Sequence, residues 1–380
     1  MKAVSVLLRG EGWGLPQPLL LQHAVDRVEA REPGELPSLL DWLDEVASSG
    51  DRDVIAAGFV TYEAGVWLEG SPALYRPPER TPLAFFARYR LGEGSASGAL
   101  PEIAARAATA AEGSLSREGW AAGVQTIRTG IERGDVYQVN LTRRMTLDAH
   151  PPAAALAEAL YGDNPVPYAM TLATGRFALV SNSPELFLRV DLGAGVAESA
   201  PIKGTIACGP GAQERLLASA KDAAEHLMIV DLLRNDLGRV ARPGAVAVPE
   251  FRTVRTFRHL HHLESTVAAR LQPGVRLSDI LLATLPGGSI TGAPKRAALR
   301  FVRELEPCAR GPYTGAAGYV RGDGTAVFNV AIRTAILSPA GLDYHAGGGI
   351  VWDSDPQAEW EETETKSREL AAALEKMGAR

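Results

Sequence analysis

Apolar positions along the first hundred residues come in short runs broken by polar ones. "RDVIAAGFVTYEAGVWLE" (52–69) and "LAFFARYRL" (83–91) have the length and the β-branched and aromatic content of strands. "LPSLLDWLDEVASS" (36–49) carries the three-and-four spacing of an amphipathic helix. The low-complexity run "GEGSASGALPEIAARAATAAEG" (92–113) reads as a linker, which divides the chain into an amino-terminal region, 1–110, and a larger unit, 111–380. In the larger unit, "SREGWAAGVQTIRTGIERGD" (116–135) predicts a helix with a serine start and a glycine stop. "FALVSNSPELFLRV" (177–190) predicts a hairpin turning at Asn182 to Pro184, and 211–241 has helical periodicity throughout. Three strands are expected at 313–321, 325–337 and 342–352, and a last helix at 356–377. Strands and helices arrive in groups, with no repeat of 20 to 50 residues, so the pattern predicts an α+β layered fold.

With 380 residues, 46% of them hydrophobic, the chain can bury a large core. A net charge of −6 lacks the basic footprint of nucleic-acid binding or attachment to anionic lipid. No run approaches the roughly 20 apolar residues of a membrane helix. The first residues are too weakly apolar for a signal peptide. Two unpaired cysteines, Cys208 and Cys308, exclude a disulfide framework and fit a reducing cytoplasm.

Asp222 and Glu225 lie three apart on one predicted helix, and Glu359 and Glu362 repeat that spacing on another. One carboxylate from each helix, with the second of each pair holding a coordinated water, would suit magnesium; two solvated acidic faces are the plain alternative. Gly347, Gly348 and Gly349 follow a strand and could bring backbone amides to an anion, or form a flexible turn. Arg333 sits in an apolar strand and needs a partner there, either a ligand carboxylate or a structural ion pair. "GGSITGAPK" (287–295) has the form of a loop feeding a helix whose first amides can face an anion. Together these elements point to a small polyanionic substrate and a divalent cation.

Read in order, "GDVYQVNLTRR", "SNSPELFL", "PIKGT", "EHLMIVDLLRNDLGRV", "GGSITGAPK", "GYV", "IRTA", "AGGGIV" and "EWEETETK" resemble the chorismate-utilising enzymes. The resemblance covers roughly 115–378. It implies a large chorismate-binding fold with layered, mainly antiparallel sheets and peripheral helices around one deep magnesium-dependent site. It places Glu225 and Glu362 at magnesium ligands, Glu359 at a water-mediated metal contact, and Asp222 where the family commonly has glutamate. Arg333 and Tyr319 match the pair that holds a chorismate carboxylate, and Gly347 to Gly349 the backbone around it. His262, otherwise a structural histidine in "HLHH", matches the histidine near the departing hydroxyl. Ser289, Thr205 and Lys366 match residues that line or point toward the site.

Two positions separate the branches of this family. Members that use water carry a lysine base where this chain has Gln138, and an amide is no base, so ammonia is the expected nucleophile. At Lys203 the chain reads "PIKGT", like the aminodeoxychorismate branch, where the anthranilate branch typically reads "PIAGT". A lysine amine adding at C2 of chorismate and expelling the C4 hydroxyl lets ammonia then take C4, splitting one hard displacement into two. The amine must be neutral to attack, and an apolar setting favours that form. A lysine that merely snorkels from a strand edge is the plain alternative. The resemblance implies amination of chorismate to 4-amino-4-deoxychorismate, toward 4-aminobenzoate and folate. Anthranilate or 2-amino-2-deoxyisochorismate formation is the alternative within the family, and a non-catalytic metabolite-binding relative the alternative outside it. With no glutaminase module visible, ammonia is expected from a separate glutamine amidotransferase subunit.

Overall fold

The computed structural model describes residues 4–92, 100–103, 112–257 and 260–378, so the linker reading of 92–113 falls largely outside the described residues. Two sheets, all of whose pairings are antiparallel, carry the chain. One runs Gly292–Ala293, Gln138–Leu147, Gly341–Ile350, Thr334–Ser338, Ala178–Ser183, Tyr168–Ala173, Ser5–Arg9, Leu19–Leu21. The other runs Ile202–Ala207, Leu260–Leu271, Val196–Ala200, Leu186–Asp191, Thr325–Val330, Ala316–Arg321, Val54–Val60, Ala84–Arg90, Asp26–Ala30. Strands from the amino-terminal region extend both sheets: Ser5–Arg9 pairs with Tyr168–Ala173, and Val54–Val60 with Ala316–Arg321.

Inward-facing alternate residues of the two sheets meet in one core, among them Val6, Leu8, Met170 and Leu172 from the first and Ile55, Phe59, Phe85 and Val327 from the second. Helices cover the outer faces. Leu39 and Leu43 of Leu36–Ala47 pack with Ala56 and Phe328 behind the second sheet. Leu156 and Leu160 of Ala153–Asp163, with Leu370 and Leu374 of Pro356–Lys376, pack on Val180 and Leu337 of the first. The α+β architecture of mainly antiparallel sheets and peripheral helices is the one expected. Among the described residues no helix is long and apolar enough to cross a membrane.

Capping chemistry sets the helix ends. Ser116 accepts from the Gly119 amide at the start of Arg117–Glu132, and Gly134 (φ 80°) ends it. Asp355 accepts from the Ala358 amide to start Pro356–Lys376. The expected continuous helix over 211–241 is two, Ala212–Ala218 and Ala220–Gly238, because Ser219 leaves helical geometry to cap the second through the Asp222 amide.

The expected hairpin at 177–190 is not one. Ala178–Ser183 belongs to the first sheet and Leu186–Asp191 to the second, and the chain crosses between them at Pro184. The polar residues there are buried and bonded across the gap: Ser183 Oγ donates to the Val330 carbonyl at 2.6 Å. The run 325–337 likewise splits into Thr325–Val330 and Thr334–Ser338 on different sheets, so Arg333 lies at a crossover, with φ 51°, and not within a strand. The two crossovers lie side by side, Asn182 N donating to the Arg333 carbonyl and Val330 N to that of Glu185, both at 3.0 Å.

A buried arginine ties this framework together. Arg310, fully buried, reaches Glu306 Oε1 and Oε2 at 2.7 and 2.8 Å, and the carbonyls of Ile290 and Asn140 at 2.8 Å each. It also stacks over the Tyr62 ring, while its own amide donates to Glu63. Replacing Arg310 by Leu strands the Glu306 carboxylate in the core, and the unfolding free energy should fall by about 3–5 kcal/mol. Denaturant unfolding checks this; a loss below about 1 kcal/mol, the scale of an exposed pair, would show that the hub is dispensable.

Candidate active site

Lys203 lies on Ile202–Ala207, the edge strand of the second sheet, with Lys203 opposite Leu263 and Thr205 opposite His262. The register shifts between them at Gly204, whose φ of 81° favours glycine, and a Cβ there would meet Asp222 Cγ at 3.2 Å. An edge strand cannot sequester its side chains as a central one does, so Lys203 is half-buried and not the desolvated amine expected. Its charge instead falls on Glu185, which the sequence reading passed over. Burial pushes the Glu185 carboxyl up to about 7, opposed by the Lys203 charge and by Ser289, whose hydroxyl donates to Glu185 Oε1 at 3.0 Å. His226, fully buried on Ala220–Gly238, also faces Lys203. Burial first, then the Arg252 and Lys203 charges, lower it to about 4 against a hydrogen bond it donates to the Lys203 backbone carbonyl, and Nε2 lies 2.6 Å from Ser265 Oγ.

His262 is buried with Nδ1 2.7 Å from Thr205 Oγ1. Burial, then the charges of Arg333 and His261, bring it down to about 4, so near pH 7 its imidazole is neutral. The Arg333 charge thus reaches His262, and Arg333 Nη1 is held by Glu369 Oε2 at 2.9 Å. Tyr319 does not join them. It points into the core between the sheets, where its hydroxyl donates to the Trp13 carbonyl at 2.7 Å. The tyrosines within reach of the Arg333 charge are Tyr344 and Tyr313, the latter stacked on His345 at 5.0 Å. Tyr313 and Tyr319 both occur in "YTGAAGYVR", and spacing alone does not separate them.

Gly347, Gly348 and Gly349 are neither a turn nor an amide nest, since they pair in regular register with Thr142, Leu141 and Asn140. What requires glycine is close approach. A Cβ would stand 2.3 Å from the Leu141 carbonyl at Gly347, and 2.4 Å from Gln138 Nε2 at Gly349. Gln138 is completely buried, and neither its Nε2 nor its Oε1 has a hydrogen-bond partner. A buried amide left unmade costs about 1–3 kcal/mol, so these atoms are aimed at something the chain does not supply. Residues 287–293 are buried, while Pro294, at the start of the helix Lys295–Leu305, is exposed. Lys295 turns inward to Asp236 at 2.8 Å, and Gly292–Ala293 adds to the edge of Gln138–Leu147. This loop brings Ser289 to Glu185 and stands beside Gln138.

The acidic residues form two half-sets. A Cβ at Gly348 would lie 3.1 Å from Glu359 Oε2 and 3.9 Å from Glu362 Oε1, so that glycine leaves open a cradle between two hard-oxygen donors of the kind magnesium takes. Ser354 donates to Glu359 Oε1 at 2.7 Å, and Lys366 bridges Glu362 (2.6 Å) and the Gly347 carbonyl (2.7 Å). Asp222 and Glu225 stand on Ala220–Gly238, Asp222 beside Gly204. Among the described residues no three acidic, histidine or cysteine side chains come together closely enough to hold a metal, so the four carboxylates are not gathered as one set.

Comparison with known proteins agrees with this architecture. Residues 93–372 match the chorismate binding enzyme family, and the chain belongs to that family. Among individual relatives, it is 40% identical over 270 residues, 70% of its length, to an anthranilate synthase component 1 from Haloarcula marismortui. It is 41% identical over 267 residues, 69% of its length, to an aminodeoxychorismate synthase component 1 from Klebsiella aerogenes. The matched stretch spans 55% and 59% of these two relatives' own lengths. The crystal structure of anthranilate synthase component I from Streptococcus pneumoniae superposes with a TM-score of 0.76 over 97% of this chain and 92% of that one, at 26% identity.

Glu185 supplies a test of the site's electrostatics. Its carboxyl titrates near 7 in the folded chain and near the ordinary 4.5 when unfolded, so its contribution to stability is lost as pH rises through that window. Glu185→Gln keeps the Oε1 acceptor and removes the buried charge. Its unfolding temperature should match the parent's near pH 5 and exceed it at pH 8; equal temperatures at both would show that Glu185 is not held in this way.

Proposed function

We propose that this chain aminates chorismate at C4 with ammonia, giving 4-amino-4-deoxychorismate through a covalent Lys203 adduct at C2. The observation that carries this reading is the Lys203–Glu185 pair: an amine on a glycine-bulged edge strand, beside a buried carboxyl titrating near neutrality. Glu185 takes a proton from the Lys203 ammonium, and the amine adds to C2. The diene electrons shift, the C4–O bond breaks, and Glu185 returns the proton so that water leaves. Ammonia then adds at C4, and the electrons shift back to release Lys203 from C2. Near pH 7 the Glu185 carboxyl is close to half-ionised, the condition for serving as base and then acid.

Arg333 and Tyr313 take a substrate carboxylate, and neutral His262, aligned by Thr205, faces the C4 oxygen. Gln138 offers an amide donor and acceptor but no base, which leaves water unactivated and favours ammonia. Magnesium, when bound, would supply positive charge against the substrate's carboxylates; Glu225 and Glu362 are the residues that would hold it, with Glu359 contacting it through water and Asp222 as the fourth carboxylate. A separate glutamine amidotransferase subunit supplies ammonia in the cytosol, and another enzyme converts the product to 4-aminobenzoate.

Similarity to an anthranilate synthase at 40% identity favours a second reading, in which ammonia attacks C2 directly and Lys203 is a bystander. Product analysis with chorismate, magnesium and ammonium salt separates the two. The parent should form 4-amino-4-deoxychorismate, and Lys203→Ala should lose it or divert to fluorescent anthranilate. Unchanged 4-amino-4-deoxychorismate formation by Lys203→Ala would refute the adduct. Glu185→Gln should lower kcat by about 10²–10⁴ with little change in KM, and an unaltered kcat would remove Glu185 from the proton transfers.

A further inference from the structure

Glu359, Glu362, Lys366 and Glu369 recur at steps of three, four and three on Pro356–Lys376, so they share one face of that helix. The first three meet the glycine strand. The fourth meets Arg333, with Glu369 Oε2 2.9 Å from Nη1. The other carboxylate oxygen is anchored: Asn182 Nδ2 donates to Glu369 Oε1 at 3.0 Å, and Asn164 Nδ2 lies 3.4 Å from the same atom. Asn182 also grips the arginine itself, its amide donating to the Arg333 carbonyl at 3.0 Å. One asparagine thus holds both the backbone of Arg333 and the counter-ion of its side chain.

That double hold falls where it is most needed. Arg333 has a left-handed backbone (φ 51°) that residues other than glycine rarely adopt, and it lies at the crossover between the sheets. Its side chain is 31% exposed against 15% for Glu369, so the arginine faces open space while the glutamate does not. A guanidinium has five N–H donors in a rigid fork, and the recorded carboxylate contact uses Nη1. The remaining edge is available to a second carboxylate only if the first keeps the plane fixed.

We propose that Glu369 is a positioning residue: anchored by Asn182 and Asn164, it fixes the Arg333 guanidinium so that its other edge meets a carboxylate of the substrate. This rests on the reading above, in which Arg333 binds that carboxylate. Glu369 does not touch the substrate and acts through Arg333 alone. Its opposite role, a resident anion that competes with substrate for Arg333, predicts the reverse effect of removing it.

The test uses the full chain with chorismate, magnesium and ammonium salt, and three variants: Glu369→Gln, Arg333→Ala and the double variant. Glu369→Gln should raise KM for chorismate about tenfold or more, as expected for a misplaced binding group, with a smaller change in kcat. The double variant should be no worse than Arg333→Ala, because Glu369 then has nothing to orient. A crystal structure of Glu369→Gln should show the guanidinium displaced from its place beside His262. An unchanged or lowered KM, an additive double variant, or an unmoved Arg333 would each overturn the proposal. If instead Arg333→Ala leaves KM unaltered, the carboxylate-binding reading of Arg333 fails, and the crystal structure alone decides whether Glu369 fixes the side chain.

Discussion

The Arg310 guanidinium is the constraint on which the rest of the site depends. A charge buried that completely persists only when every donor is met, and here the acceptors come from three separate segments. Its bond to the Ile290 carbonyl holds the buried loop, that to Asn140 holds the strand beginning at Gln138, and Glu306 passes the restraint on to the Thr142 amide. Ser289 and Gln138 are therefore placed from behind. Glu63 brings the amino-terminal region into the same hub, accepting from the amides of Arg310 and Gly311.

Against that fixed wall stand the two crossovers. A chain leaving one sheet for the other must bury polar backbone between them, and pairing the two crossovers satisfies part of it. Their position also decides what they carry. Glu185 follows one and Arg333 ends the other, so a buried acid and a strained cation arrive at the same gap between the sheets. Burial then sorts the titratable groups in opposite directions, raising Glu185 toward neutrality and lowering His262 and His226 well below it. An acid able to exchange its proton near neutral pH thus sits among imidazoles that remain uncharged.

Much of this was legible in the residues. The helix cap at Ser116, the paired carboxylates at 359 and 362, and the grouping of strands all appear as local pattern, which is how the α+β class could be read. What was not legible is which sheet a strand joins. Period-two alternation is the same on either side of a crossover, so 177–190 looked like a hairpin and 325–337 like one strand. The triple glycine reads as amides for an anion or as a flexible turn, whereas a Cβ at Gly347 or Gly349 would come within 2.3–2.4 Å of residues two hundred positions away. Tyr319 lies on the strand Ala316–Arg321 and Tyr313 in the turn before it, and Glu185, one acid in "SNSPELFL", gains its character from the burial around it. Lys203 stands out in the sequence as an amine among small residues, although its setting is an edge strand and not an apolar pocket.

The central claim is that Lys203 bonds to the substrate, and mass spectrometry of the protein mixed with chorismate and magnesium in the absence of ammonia tests it most directly. The expected result is a species heavier by chorismate less one water, mapped to the peptide containing Lys203 and discharged when ammonium salt is added. An unmodified Lys203 under conditions where ammonium salt supports turnover, with the new nitrogen found on C2, would contradict it.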